Sequence, residues 1–136
     1  MAAKNSKIPK GNSKEEVYAR RDYIINKLQH LIGTSIRCAA LNNQKIHFDY
    51  YSIDETATHA SKSYESTKGA LNITKAICSA KFVKTHSTHS KRQAKRGFIE
   101  MIELSAEIKN IGTLKIIVGR KKNMQVFHYC VTKKSS

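Results

Sequence analysis

The fold class is decided by residues 97–132, which read GFIEMIELSAEIKNIGTLKIIVGRKKNMQVFHYCVT. Apolar and polar side chains alternate along the first part of this stretch, which is typical of a strand with one buried face. An Asn-Ile-Gly turn at 110–112 and a basic turn at 120–123 separate three apolar segments. With the short apolar segment KFVK at 81–84, the pattern predicts a four-stranded antiparallel β-meander.

Helices are predicted before this meander. Residues 13–33 begin with Ser13 and Glu16, which form a capping box, and end at Gly33, a suitable stop. Helix is also predicted over the second half of residues 58–72 and over NITKAICSA, residues 72–80, which follows it. A hairpin is predicted over SIRCAAL and KIHFDYYS on either side of an Asn-Asn turn. The result is an α+β fold with N-terminal helices packed on a C-terminal antiparallel four-stranded β-meander.

The length and the net charge of the chain limit the classes of function to consider. The chain has 136 residues, so we expect a single α+β domain over residues 14–134, preceded by a disordered basic arm over residues 1–13. Lys and Arg number 25 against 10 Asp and Glu, a formal net charge of +15. Such an excess of positive charge is typical of proteins that bind a polyanion, and nucleic acid is the expected partner. An anionic membrane surface or an acidic protein partner is the alternative.

Several classes of function lack support. No apolar run approaches the roughly 18 residues that suggest a membrane span, and the first residues lack the apolar region of a signal peptide. Three widely spaced cysteines, Cys38, Cys78 and Cys130, favour reduced thiols and a cytoplasmic location over a disulfide framework. No phosphate-binding loop, dinucleotide fingerprint or zinc-protease motif is present, so no cofactor is expected.

The last predicted strand offers one candidate site. If Phe127, Tyr129 and Val131 face the helices, then His128 and Thr132 face the other way with Cys130, because strand side chains alternate. An imidazole and a hydroxyl beside lysines and arginines of neighbouring strands would suit a phosphodiester, since imidazole moves protons near neutral pH. The alternative is the solvated outer face of an edge hairpin.

The polar stretch THASKSYESTKGALN, residues 58–72, offers a second site. His59 and Lys62 are three residues apart, so in a helix they share a face and would place a base and a cation on one phosphate. Ser61 or Ser63 would equally suit a helix cap. This stretch therefore either lines a cleft between the early helices and the late sheet or is an exposed connection.

A basic cluster lies in HSTHSKRQAKRG, residues 86–97, which we expect to be a polar loop without core residues. Its four cations are expected to contact a nucleic-acid backbone: Lys91, Arg92, Lys95 and Arg96. A plain surface charge run, or a group of charges protecting the next strand from aggregation, is the alternative. His86 and His89 are too few for a zinc site, so no metal is expected.

The order of these segments resembles the toxin domains of the barnase–EndoU–colicin–RelE nuclease superfamily, which are associated with phages and mobile elements. The likeness rests on HASKSYESTKGALNITKAICSAKFVK and IKNIGTLKIIVGRKKNMQVFHYCVT, and it covers roughly residues 56–133. It implies a metal-independent endoribonuclease that activates the ribose 2′-hydroxyl and leaves a 2′,3′-cyclic phosphate. RNA in the cytoplasm of a producing or target bacterial cell would be its substrate, and an acidic immunity or antitoxin protein a possible partner.

Carried over to this sequence, the resemblance implies five catalytic residues: His59, Lys62, Arg120, His128 and Thr132. His59 would be the general base and His128 the general acid. The resemblance also places Lys115 among the phosphate-binding residues, and it allows Tyr129 to stack on a base or to belong to the core. Two other classes remain open, a non-catalytic nucleic-acid-binding protein and a phage-encoded interaction or inhibitor protein.

Overall fold

The structure is a computed structural model that describes residues 8–88 and 90–134. In this part of the chain the helices are α1 (Lys14–Leu28), α2 (Tyr50–Ala60), α3 (Tyr64–Ala70), α4 (Ile73–Ser79) and α5 (Lys91–Lys95). The strands are β1 (Ser35–Cys38), β2 (Gln44–His47), β3 (Lys81–His86), β4 (Phe98–Ile108), β5 (Gly112–Lys121) and β6 (Val126–Lys133). None of the described helices has the length and apolar character needed to cross a membrane.

The six strands form one mixed sheet in the order β1-β2-β6-β5-β4-β3. The α+β class is confirmed, and the four predicted strands, β3 to β6, are consecutive antiparallel neighbours. The sheet is nevertheless wider than predicted, because the β1–β2 hairpin joins β6 through a parallel pairing of Ile46 with Val126 and His47 with Phe127. A pairing of two residues across eighty positions leaves no periodic signal in the sequence.

The predicted α1 is confirmed with its capping box. Ser13 Oγ accepts a hydrogen bond from the Glu16 backbone N–H at 3.2 Å, and the Glu16 carboxylate accepts one from the Ser13 backbone N–H at 3.4 Å. Gly33 has φ +88°, a conformation that glycine adopts without strain. The buried face of α1 carries Ile24 and Leu28.

The main core lies between the helices and one face of the sheet. The alternation predicted for β4 is confirmed by four core side chains on this face: Ile102, Leu104, Ala106 and Ile108. Small residues of α2 and α4, Ala57, Ala60 and Ala76, let the helices approach the sheet closely. A second, smaller cluster on Phe98, Met101 and Tyr129 covers part of the other face, so β4 is buried on both sides there.

A β-bulge in β6 reverses the predicted orientation of three side chains. Ile117 pairs with Cys130 but Val118 pairs with His128, so Tyr129 is an extra residue on this strand. Val131 faces the main core as predicted, but His128 is buried at 1% exposure, whereas Phe127 and Tyr129 belong to the second cluster. The prediction that His128 lies on the outer face with Thr132 is therefore wrong.

The buried Arg20 connects α1 to the segment before it. Its Nε donates to the Ser61 carbonyl at 2.8 Å, and its Nη1 donates to the carbonyls of Pro9 and Gly11 at 2.8 and 2.6 Å. Residues 8–13 are therefore held against the domain, which we had expected to begin at residue 14, and residues 1–7 of the predicted arm lie outside the described part. Nothing in the sequence indicates this role, because Arg20 lies among seven other charged or amide side chains of α1.

Replacing Arg20 with Met is expected to lower the free energy of unfolding by about 1–3 kcal/mol, because carbonyls lose a charged donor in a site from which water is excluded. Urea denaturation measures the change. Arg21→Met is the matched control, because Arg21 is half-exposed and makes a single ion pair with Asp54, so a loss below about 1 kcal/mol is expected there. Equal losses for the two variants would contradict the role of Arg20.

Candidate functional site

An open cleft of about 840 Å³ lies between the first turns of α2 and the short helix α5. Three acidic residues of its lining come from the start of α2, four cations come from α5 and the residue after it, and one lysine comes from the end of β5. The lining residues are Asp49, Tyr51, Asp54, Glu55, Lys91, Arg92, Lys95, Arg96 and Lys121.

Helix α5 forms where a loop without core residues was predicted. Ser90 caps it by accepting a hydrogen bond from the Gln93 backbone N–H at 3.1 Å, and Gln93 is buried at 8% exposure. The predicted loop is wrong for these residues, because a single buried amide anchors the turn and leaves Lys91, Arg92 and Lys95 exposed. The basic cluster that we expected to contact a nucleic-acid backbone therefore lines the cleft as one group.

The cleft is lined by five cations and three carboxylates, and some of these cations and carboxylates form ion pairs with one another. Arg92 Nη1 lies 3.2 Å from Glu55 Oε2, and Arg96 Nη2 lies 3.1 Å from Asp49 Oδ1. Among the described residues, no ion pair involves Lys91, Lys95 or Lys121. The surplus of positive charge at the cleft therefore rests on three lysines.

Arg96 is the most constrained cation of the cleft. Its side chain is 7% exposed, and its Cζ lies 4.8 Å from the ring centroid of Phe98 and 5.6 Å from those of Tyr51 and Tyr129. Such cation–π contacts are strongest where the cation has lost its water. Arg96 therefore fixes the position of Tyr51 relative to the sheet.

Next to the cleft, His59 and Glu55 form a pair one helical turn apart on α2. His59 Nε2 lies 3.3 Å from Glu55 Oε1, and the side-chain exposures are 38% and 5%. A buried carboxylate beside an accessible imidazole fixes the orientation of the ring. His59 is the only one of the two predicted catalytic histidines that solvent reaches.

Tyr129 belongs to the core, which was the alternative to base stacking. Its ring is 6% exposed and packs edge-on against Phe98, with 6.2 Å between the centroids. Burial, with the nearby Glu55 carboxylate second, raises the pKa of its phenol, and hydrogen bonds to Gln93 and Ser90 oppose that rise. Tyr129 therefore supports α5 and offers no ring face to a ligand.

His128 has no access to the cleft. Its Nε2 lies 2.7 Å from Thr56 Oγ1 on α2, and Nδ1 has no hydrogen-bond partner among the described residues. Burial, followed by the positive charge of Arg96, lowers the pKa of His128 to about 3. The ring is therefore neutral at physiological pH, and the one N–H of a neutral imidazole is too weak an acid to serve as a general acid.

The five residues that the resemblance implied as catalytic do not meet. Arg120 donates to Glu100 at 2.9 Å and to Gln44 at 3.1 Å, beside Val126 in the sheet. Thr132 lies six residues further along β6 than Val126, which is roughly 20 Å at strand spacing, and it pairs with Lys115. Lys62 is exposed just after α2. Of the predicted residues, only the basic cluster and His59 gather at one place.

Sequence reasoning missed the acidic side of the cleft and Tyr51. We assigned residues 49–52 to a strand, but they form the first turn of α2, in which Asp49 accepts a hydrogen bond from the Ser52 backbone N–H at 2.8 Å. The Asp49–Ser52 spacing was the available signal for a helix start. The spacing of Glu55 and His59 would then have placed both side chains on one face.

A metal ion has no evident site among the described residues, since no three His, Cys, Asp or Glu side chains come together in a suitable way. His89, one half of the histidine pair considered above, lies outside the described residues.

A comparison with protein families matches residues 15–129, most of the chain, to a family described as large polyvalent protein-associated domain 3. No curated protein and no solved structure matches the chain. The match spans α1 to β6 and includes the whole of the cleft. The chain therefore belongs to the large polyvalent protein-associated domain 3 family.

Proposed function

We propose that the chain is a metal-independent endoribonuclease that holds RNA in the cleft between α2 and α5. The observation that carries the proposal is the His59–Glu55 pair, which borders a cleft lined by five cations. The two parts have complementary tasks, since the cations attract the phosphates and the imidazole is free to exchange a proton. The toxin-like resemblance found in the sequence agrees with this reaction class.

The reaction that we propose is a transesterification. His59 takes the proton of a ribose 2′-hydroxyl, and the oxygen forms a bond to the adjacent phosphorus. The bond from phosphorus to the 5′-oxygen of the next nucleotide breaks, and this oxygen takes a proton from solvent water. Glu55 stabilises the imidazolium that forms on His59, and the cations of α5 stabilise the charge that develops on the phosphate oxygens.

Binding of RNA to this cleft would exchange one set of ion pairs for another. The two arginines already contact Glu55 and Asp49, so a phosphate competes with a carboxylate there. The three lysines without such partners offer their charge to a phosphate without that competition. We therefore assign most of the RNA affinity to Lys91, Lys95 and Lys121, and we assign transition-state stabilisation to Arg92.

Incubation of the purified protein with total bacterial RNA in EDTA tests the proposal. We expect cleavage that leaves 2′,3′-cyclic phosphate and 5′-hydroxyl ends, and no cleavage of RNA whose 2′-hydroxyls are methylated. Expression in a bacterial cytoplasm, the compartment in which the three unpaired cysteines would stay reduced, is expected to be toxic. A strict need for magnesium, or 3′-hydroxyl ends, would show that the reaction class is wrong.

A second candidate function is nucleic-acid binding without cleavage. It is favoured by the burial of His128, which leaves the cleft with one accessible predicted histidine. Such a protein would leave total RNA intact, bind it with a steep dependence on salt, and be indifferent to replacement of His59. An acidic inhibitor protein would compete with RNA for the same lysines in either case.

A further inference from the structure

An exposed aromatic ring lies among the charges of the cleft. Tyr51, on the first turn of α2, is 55% exposed, and the Cζ of the largely buried Arg96 lies 5.6 Å from its ring centroid. Tyr50 beside it is 61% exposed and meets Tyr51 edge-on, with 5.4 Å between the ring centroids. A cleft that only neutralised phosphates would need no aromatic surface in contact with water.

A second hollow adjoins the cleft at Lys121. This second hollow has a volume of about 540 Å³, includes Ala94 of α5 in its lining and shares Lys121 with the cleft. It adds Lys122 and Asn123 as polar partners and the half-exposed Ile99 as an apolar one. Cations and apolar side chains therefore border both hollows, which suits a chain of phosphates and bases.

We infer that the cleft takes a single-stranded nucleic acid, with one base stacked on Tyr51 and the flanking phosphates on the lysines of α5 and on Lys121. In a duplex the faces of the bases are covered by their neighbours, so only phosphates and groove edges would meet the protein. In a single strand the bases are free to stack on aromatic side chains, in combination with a basic groove for the backbone. The inference rests on the proposed binding of nucleic acid at this cleft and is independent of the cleavage chemistry.

Binding of a short 2′-O-methyl RNA tests the inference, because this probe has no free 2′-hydroxyl and cannot be cleaved by the proposed reaction. The strand carries 2-aminopurine, whose fluorescence falls when the base stacks. We expect tight binding of the single strand with quenching, and binding of the same strand in a duplex that is weaker by roughly tenfold or more. Tyr51→Ala is expected to weaken single-strand binding about five- to a hundredfold and to reduce the quenching, because a stacked base is lost.

Two variants control this experiment. Tyr51→Phe keeps the ring, so binding and quenching are expected to remain close to those of the original protein. Tyr18→Ala removes a tyrosine of similar exposure, 59%, from α1, where it does not line the cleft, and no change is expected. A loss for Tyr51→Phe as large as that for Tyr51→Ala would assign the effect to the phenol hydroxyl and overturn stacking.

The outcomes separate the inference from the proposed function. Equal affinity for strand and duplex, or unaltered quenching in Tyr51→Ala, overturns the inference, whereas cleavage of total RNA in EDTA would still support the enzyme. Tight single-strand binding without any cleavage of ordinary RNA supports the inference and overturns the enzyme. If neither strand nor duplex binds and total RNA stays intact, both are wrong.

Discussion

Replacing His59 with Gln is expected to lower the rate of RNA cleavage by about two to four orders of magnitude, the usual contribution of a general base. Glutamine has a similar reach but cannot accept and release a proton near neutral pH. His59 lies on the surface of α2 with 38% of its side chain exposed, so the substitution should leave the fold unchanged. The rate is measured on a short RNA in EDTA, and the affinity on its 2′-O-methyl form.

The affinity separates a catalytic role for His59 from a binding role. We expect His59→Gln to bind the 2′-O-methyl RNA as well as the original protein does, because the lysines of the cleft are untouched. His30→Gln, at an exposed position after α1, is the matched control and should cleave RNA at the original rate. Full activity of His59→Gln would exclude the general-base assignment, and a parallel loss of affinity and rate would make His59 a binding residue.

The elements with a strong local signal were predictable from the sequence. The capping box of α1 and the alternation along β4 depend on neighbours within a few residues, and both are confirmed. The start of α2 was missed because KIHF continues directly into DYYS, so the strand pattern hid the cap at Asp49. Helix α5 was missed because a five-residue helix has too few apolar positions for a period to be visible.

The candidate site was less predictable than the fold, and one residue explains much of the difference. Strict alternation places His128 on the outer face, but the extra residue at Tyr129 breaks the alternation, and His128 turns into the core. The sequence FHYCV contains no signal for a bulge, because the bulge results from the pairing of β6 with β5. The basic cluster was found because its charges are adjacent in sequence, whereas its partners Asp49 and Glu55 meet it only through the fold.

The stability of the fold is expected to fall in mild acid because of His128. Its pKa is about 3 in the folded protein, against about 6.5 in an unfolded chain. Between these two pKa values the unfolded state binds a proton at His128 and the folded state does not. The free energy of unfolding is therefore unaffected above the unfolded pKa and decreases as the pH falls from about 6.5 towards 3. The loss from this residue alone is roughly 2 kcal/mol between pH 7 and pH 5.

Denaturant unfolding at these two pH values measures the loss, and His128→Gln isolates it. The variant is expected to be less stable at pH 7, since it gives up the packing of the ring against Phe48 and its hydrogen bond to Thr56. It should nevertheless lose about 2 kcal/mol less than the original protein on going to pH 5, because its side chain does not titrate. His59→Gln, which leaves His128 in place, should keep the full acid loss. If His128→Gln and the original protein lose stability in parallel, His128 is already solvated in the folded state, and the bulge does not bury it.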